Sequence, residues 1–469
     1  MGRNYPEAGG STELWVRWTQ NCELRVVSCE LPQHDAGLAL AGSAHQVNCA
    51  KTTAMRPYRR AHTAHSNCGT TLYVVLVLLV TSVAAAAGSA PAGISNLKFR
   101  PNDANTRSGF EHLYNLEYDQ AVKEFELALK AHPDDPFATN HLLSGVLFRE
   151  LYRIGALDTE LYSKNSFLTS KQFPIDPKVQ EQIKGLINRA FQLEEARLKA
   201  NPSDADALYA RGVTRATRSL YIGLVEKAWF SALRNAVGAR RDHERVLELD
   251  PSYSDAKMVV GIHNYVLGSI NFAIKVAASV VGLSGSKSKG IEYLYAAGRG
   301  GGETSVDSKI ALSLFLRREQ RYAEALKLVG GLEADFPRNF LFRLENANLM
   351  NAAGRGPEAI AAFRKLLDDS KAGMFAESRM EMAYYGLGET LRGQHDFRGA
   401  AEAYDAVQQY PAVDPDLRQR ANLAAGEMYD AAHNREQAVQ RYQAVIAAEG
   451  KSERAELAKK YIKQPYRNE

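Results

Sequence analysis

Residues 118–133, Tyr-Asp-Gln-Ala-Val-Lys-Glu-Phe-Glu-Leu-Ala-Leu-Lys-Ala-His-Pro, decide the fold of this 469-residue chain. Ala121, Phe125 and Ala128 stand at i, i+4 and i+7, so they share one face of a helix. Pro133 ends that helix, and Asp134-Asp135-Pro136 offers a capping side chain and a first-turn proline to the next one. Gly109 lies twelve residues upstream of Ala121. The same frame returns at Ala325, Val329 and Leu332, and 34 residues on at Ala359, Phe363 and Leu366. It returns again at Ala400, Tyr404 and Val407 with Gly388 upstream, and at Ala438, Tyr442 and Val445 with Gly426 upstream. A period near 34 with small residues at fixed offsets marks stacked helical hairpins.

The spacing has a physical reason. Antiparallel helices approach closely only where side chains are small, which assigns Gly109, Ala121 and Ala128 to crossings. Phe125 then fills the gap between one hairpin and the next, because a lone hairpin cannot bury that face. Three copies are stretched. Ala190, Glu194 and Arg197 close the second, Ala239, His243 and Val246 the third, and Gly290, Leu294 and Ala297 the fourth. Their surplus falls around Gly155–Pro177, Tyr221–Val237 and Tyr265–Lys289.

From about Thr106 to the C-terminus the pattern resembles the tetratricopeptide repeat family. That resemblance implies an all-α, right-handed α-solenoid of about eight hairpins, enlarged in repeats two to four. It also implies a scaffold or adaptor that binds a protein or peptide in a concave groove. Residues 106–450 are assigned to the solenoid, 451–469 to a C-terminal capping helix and tail, and 88–105 to a flexible lead-in.

The N-terminus reads differently. Leu72–Val83 is an apolar run, preceded by Arg56, Arg59 and Arg60 and followed by Ala84-Ala85-Ala86-Ala87-Gly88. A basic region, a short apolar core and small residues describe a signal peptide over 55–87. Residues 1–54 then read as a spurious or disordered extension from an upstream start. All four cysteines (Cys22, Cys29, Cys49, Cys68) precede the expected cut, so the mature chain has no disulfide framework. The expectation is export to a bacterial periplasm or outer-membrane periphery; anchoring by an uncleaved segment is the alternative.

Composition narrows the function classes. A formal charge of +4 is small for this length and gives no support for nucleic-acid binding. Mean hydropathy of -0.33 argues against a polytopic membrane protein. The apolar stretch 265–283 is interrupted by Lys275 and reads as a buried helix, with peripheral membrane contact as the alternative. Gly282–Gly290 lacks the Gly-Lys-Ser/Thr ending of a phosphate loop and reads as a connector. The histidines beyond the signal segment show no metal-pair spacing, and no nucleophile elbow is present. No catalytic, cofactor or metal site is therefore expected, and the chain is read as a non-enzyme, with an enzyme whose site is not visible in sequence as the distant alternative. Arg211, Arg215 and Arg218, at i, i+4 and i+7, are the candidate groove residues for a carboxylate-bearing ligand, with salt bridging to neighbouring helices as the plainer reading. Arg240, Arg241 and Arg245, interleaved with Asp242 and Glu244, read as a solvated face.

Overall fold

The computed structural model describes residues 92–157, 175–269, 284–375, 379–411 and 413–468. The expected extension, the signal segment, and most of the surplus at 155–177 and 265–283 lie outside these residues. The described chain is all-α, with one isolated bridge between Lys98 and Gly302. A single turn, α1 (Ala92–Ser95), precedes eight hairpins: α2 (Ala104–Leu113) with α3 (Tyr118–Ala131), α4 (Pro136–Arg153) with α5 (Pro177–Ala200), and α6 (Ala205–Tyr221) with α7 (Trp229–Leu249). Then follow α8 (Ala256–Ser269) with α9 (Lys287–Arg299), α10 (Ser305–Arg318) with α11 (Tyr322–Asp335), and α12 (Phe340–Ala352) with α13 (Gly356–Lys371). The last pairs are α14 (Met380–Gly393) with α15 (Phe397–Ala406) and α16 (Pro415–Ala431) with α17 (Arg435–Ala448), before α18 (Glu453–Lys463). Each helix packs chiefly on its neighbours in the chain, as a repeat stack requires.

Local chemistry sets both ends of the hairpins. Asp103, Asp135, Asp204, Asn339 and Asp414 cap first helices by accepting N–H bonds from the opening turn. The reversal between helices is made by one left-handed residue, at Leu116, Gln320, Gly354, His395 and His433. Each stands five residues before the frame alanine (Ala121, Ala325, Ala359, Ala400, Ala438). The next amide bonds back to a carbonyl five residues earlier, as in Arg321 N–H to Leu316 at 2.8 Å and Asn434 N–H to Tyr429 at 2.8 Å. This is the Schellman closure, and it fixes where the second helix starts.

Packing follows from the frame. Ala121, Phe125, Ala128, Ala325, Ala359, Phe363, Ala400, Tyr404, Ala438 and Tyr442 are all fully buried. The ring of Phe125 sits on Gly109 of its own hairpin and Gly145 of the next. Tyr404 sits on Gly388 and Tyr442 on Gly426 in the same way, while Phe363 reaches Gly386 of the following hairpin. The ring is thus the wedge that joins consecutive hairpins, and glycine makes room for it.

Two expectations are corrected. The lead-in expected to be flexible is pinned from residue 94 onward: Ile94, Leu97 and Phe99 are buried in the main core. Phe99 stacks on Phe110 with centroids 4.6 Å apart, and Lys98 N–H donates to Gly301 at 2.9 Å. Burying three apolar side chains outweighs the local glycine- and serine-rich composition. Asp242, read as part of a solvated face, is 4 % exposed because two arginines of α6 converge on it. The enlargement of hairpins two and three is partly helix length: α5 has 24 residues and α7 has 21, against 14 in α3. A π-helical turn at Ile222–Glu226 takes up part of the third.

Replacing Gly109 with Ala drives a Cβ into the Phe125 ring and is expected to destabilise the chain by about 1–3 kcal/mol. Gln320→Gly, which relieves a left-handed side chain, is expected to stabilise it by about 1 kcal/mol. Urea denaturation of both variants checks the opposite signs.

Candidate functional site

The wedge position changes character in hairpins two and three, where Glu194 and His243 replace the aromatic rings and are buried to 0 % and 1 % exposure. Each creates a polar problem. Glu194 meets Thr214 Oγ1 at 2.5 Å and Asn140 Nδ2 at 3.4 Å, and Asn140 also donates to the Ala210 carbonyl at 3.0 Å. Burial pushes the Glu194 carboxyl up to about 7, against the hydrogen bonds from Thr214 and Asn140 that favour its charged form. His243 occupies the ring's place against Gly212 and donates from Nδ1 to the Ala239 carbonyl at 2.8 Å. Burial lowers its pKa, so the imidazole is neutral and Nε2 is left as an acceptor.

Beside His243, the first helices of hairpins one to four and the connector into α10 line a partly open cavity of about 110 Å³. Phe110, Phe137, Phe148 and Tyr209 supply aromatic walls, and His141, His243, Asp255, Glu303 and Asp307 supply polar groups. The lead-in helps close it. Arg100 pairs with Asp206 at 2.7 Å and Asp255 at 3.3 Å, while its guanidinium lies over Phe137, Tyr209 and Tyr253 at 4.9, 5.5 and 4.6 Å. Asp255 also accepts from Thr304 N–H at 3.1 Å and Thr304 Oγ1 at 2.8 Å. Burial, reinforced by Glu303, raises the Asp255 carboxyl above the ordinary range. Tyr209 donates to Glu303 at 3.3 Å, and His141 Nε2 lies 3.3 Å from the other Glu303 oxygen.

The arginine row goes elsewhere. Arg211 and Arg215 both grip Asp242 of α7, with contacts of 2.6 Å each, and Arg218 lies over the Phe191 ring at 5.7 Å. Two guanidinium groups therefore share one buried carboxylate inside hairpin three. The frame residues named from sequence lie in the stack, and of them only His243 lines the cavity. Sequence reasoning missed Arg100, Asp255 and Glu303, which come from the lead-in and from short connectors outside the repeat frame. The signal that could have found them is the replacement of an aromatic by Glu194 and His243 at a wedge position. Lys287, in the loop weighed as a phosphate site, pairs with Glu319 at 2.7 Å. Tyr265–Leu267, where the apolar stretch begins, are buried in α8, and 270–283 lie outside the described residues. No group of three metal-ligating side chains occurs among the described residues.

At its other end the stack takes up its own tail. Tyr466 N–H donates to Asp430 of α16 at 2.8 Å, and its hydroxyl accepts from Arg392 of α14 at 3.1 Å. Arg392 also pairs with Glu427 at 3.0 Å, and Arg420 lies 4.9 Å over Tyr385.

Residues 311–375 match the family model for the tetratricopeptide repeat. No curated protein matches the sequence. Among solved structures, the chain is similar to PilF of Pseudomonas aeruginosa at 15% identity, covering 55% of this chain and 96% of that one, with a TM-score of 0.35. A tetratricopeptide repeat protein from Parabacteroides merdae shares 12% identity over 68% of this chain and 97% of its own, with a TM-score of 0.30. The human IFIT1 dimer with m7Gppp-AAAA shares 13% over 85% and 88%, with a TM-score of 0.37. At these TM-scores nothing said of those proteins transfers to this chain.

The raised Glu194 carboxyl has a pH consequence. Between about pH 4.5 and 7 the folded chain holds a proton that the unfolded chain releases, so stability falls as pH rises through that window and levels off above it. Glu194→Gln removes this loss. The variant is expected to match the parent near pH 4.5 and to exceed it at pH 8 by on the order of 3 kcal/mol. Denaturant titrations at the two pH values check it; parallel profiles would contradict it.

Proposed function

We propose, from the premise that this chain is a tetratricopeptide-repeat protein, that it works as a binding scaffold for a protein partner, exported to a bacterial cell envelope. The observation that carries the reading is the regular stack from α10 to α17. Its glycine, alanine and aromatic frame residues are used for packing, which leaves the first helices to present a continuous row of side chains. Half-buried Tyr385 lies beneath the largely buried Arg420, and on the same two helices half-buried Arg392 pairs with Glu427, which gives α14 and α16 the tyrosine and arginine content on which binding energy concentrates. The seating of Tyr466 on Arg392 and Asp430 supports it further, since these helices already hold an extended segment of polypeptide.

Export rests on the N-terminal pattern: a basic stretch, the apolar run 72–83, small residues, and no cysteine beyond residue 68. No helix among the described residues is long and apolar enough to cross a membrane.

A photo-crosslinking residue at Tyr385 is expected to capture one protein species from the native envelope, and the same residue at exposed Arg398 on α15 is expected not to. Equal capture at both places would overturn the scaffold reading for this face. Export is checked by sequencing the N-terminus of the envelope-fraction protein, which should begin near residue 88. An intact N-terminus in the cytosolic fraction would overturn it.

A further inference from the structure

The charged lining of the cavity is acidic and its walls are aromatic, alongside the amide of Asn140 and the hydroxyls of Ser144, Thr217 and Thr304. Its lining includes three carboxylates, Asp255, Glu303 and Asp307, and no lysine or arginine. His243 spends its Nδ1 proton on the Ala239 carbonyl, so its Nε2 is a buried lone pair with no partner among the described residues. His141, 6 % exposed, directs Nε2 at Glu303, and its Nδ1 is likewise buried without a partner. A buried polar atom left unmatched is costly, and the chain holds two of them, on His141 and His243, at one cavity. Hydrophobic stacking does not require either: hairpins one, six, seven and eight use Phe125, Phe363, Tyr404 and Tyr442 at the place where His243 stands.

What satisfies such a lining is a donor with positive charge. The carboxylates attract a cation, His243 Nε2 accepts one of its N–H groups, and the faces of Phe110, Phe137, Phe148 and Tyr209 favour it through their ring quadrupoles. An anion would meet three carboxylates, and the Arg100 guanidinium beside them is engaged by Asp206 and Asp255. Size limits the choice further. An apolar cavity of about 150 Å³ holds the six carbons of benzene, so 110 Å³ suits an ion of about four non-hydrogen atoms. We propose that this cavity is a binding site for a small organic ammonium ion, held by Glu303, His141 and His243 between aromatic walls. The site reaches the start of α10 through Asp307 but shares no residue with the Tyr385, Arg392 and Arg420 surface, and it does not depend on that surface's role in partner binding.

Three probes of one shape separate charge from size: propylammonium, 1-propanol and propionate, added to the full chain at matched ionic strength. Propylammonium is expected to raise Tm in a saturable way and to shift the imidazole nitrogen resonances of His141 and His243, and propionate should bind at least tenfold more weakly. His243→Phe places in hairpin three the ring that hairpin one already uses, so the stack is retained. It should weaken propylammonium at least tenfold while leaving Tm without ligand unchanged or higher. Propionate binding as well as propylammonium, or no saturable binding of any probe, would overturn the proposal. So would undiminished propylammonium binding by a folded His243→Phe. The comparison of probes on the unaltered chain stands even if that variant does not fold.

Discussion

A two-helix hairpin of some thirty residues cannot bury its own apolar face, and this one constraint organises the chain. The solution is a ring laid on a glycine: Phe125 against Gly109 and Gly145, Tyr404 against Gly388, Tyr442 against Gly426. Because the ring touches its own hairpin and, through Phe125 and Phe363, the next, each hairpin is stable only with its neighbour in place. The left-handed turn five residues before each frame alanine sets the phase of the second helix, so the ring arrives opposite the glycine.

The cavity arises where that solution is altered. Glu194 and His243 keep the wedge positions in hairpins two and three but bring polar atoms into the stack, and the first helices of hairpins two and three answer Glu194 with Asn140 and Thr214. A stack softened by polar wedges needs another source of closure. The lead-in supplies it: Phe99 packs on hairpin one, Lys98 binds Gly301 before α10, and Arg100 bridges carboxylates of hairpins three and four across three aromatic rings. Tyr114 against Phe336 and Arg338 with Glu117 at 3.2 Å bring hairpin one to hairpin five. Hairpins one to four, with the start of α10, therefore line a space, whereas the rest of hairpins five to eight presents a face.

Much of this architecture was legible in the residues. Ala121, Phe125 and Gly109 announce the hairpin, and their recurrence counts the copies, because stacking demands the same small and aromatic residues each time. The turn was not legible, since Leu116, Gln320, Gly354, His395 and His433 share a backbone conformation and no side-chain chemistry. The lead-in was hidden by its composition: Ile94, Leu97 and Phe99 gain their burial from hairpins far along the chain, which no local pattern records. Asp255 and Glu303 escaped for the same reason, as they become a pair only when α8 and α10 meet over Tyr209 and Thr304. The arginine row was visible, but its partner Asp242 was disguised by flanking charges.

The central claim is that the lead-in is part of the fold and closes the first four hairpins. Hydrogen exchange at the Lys98 amide tests it most directly, because that N–H donates to Gly301 across the closure. The account expects protection comparable to that of amides within α2. Exchange at the rate of an unstructured peptide would contradict it.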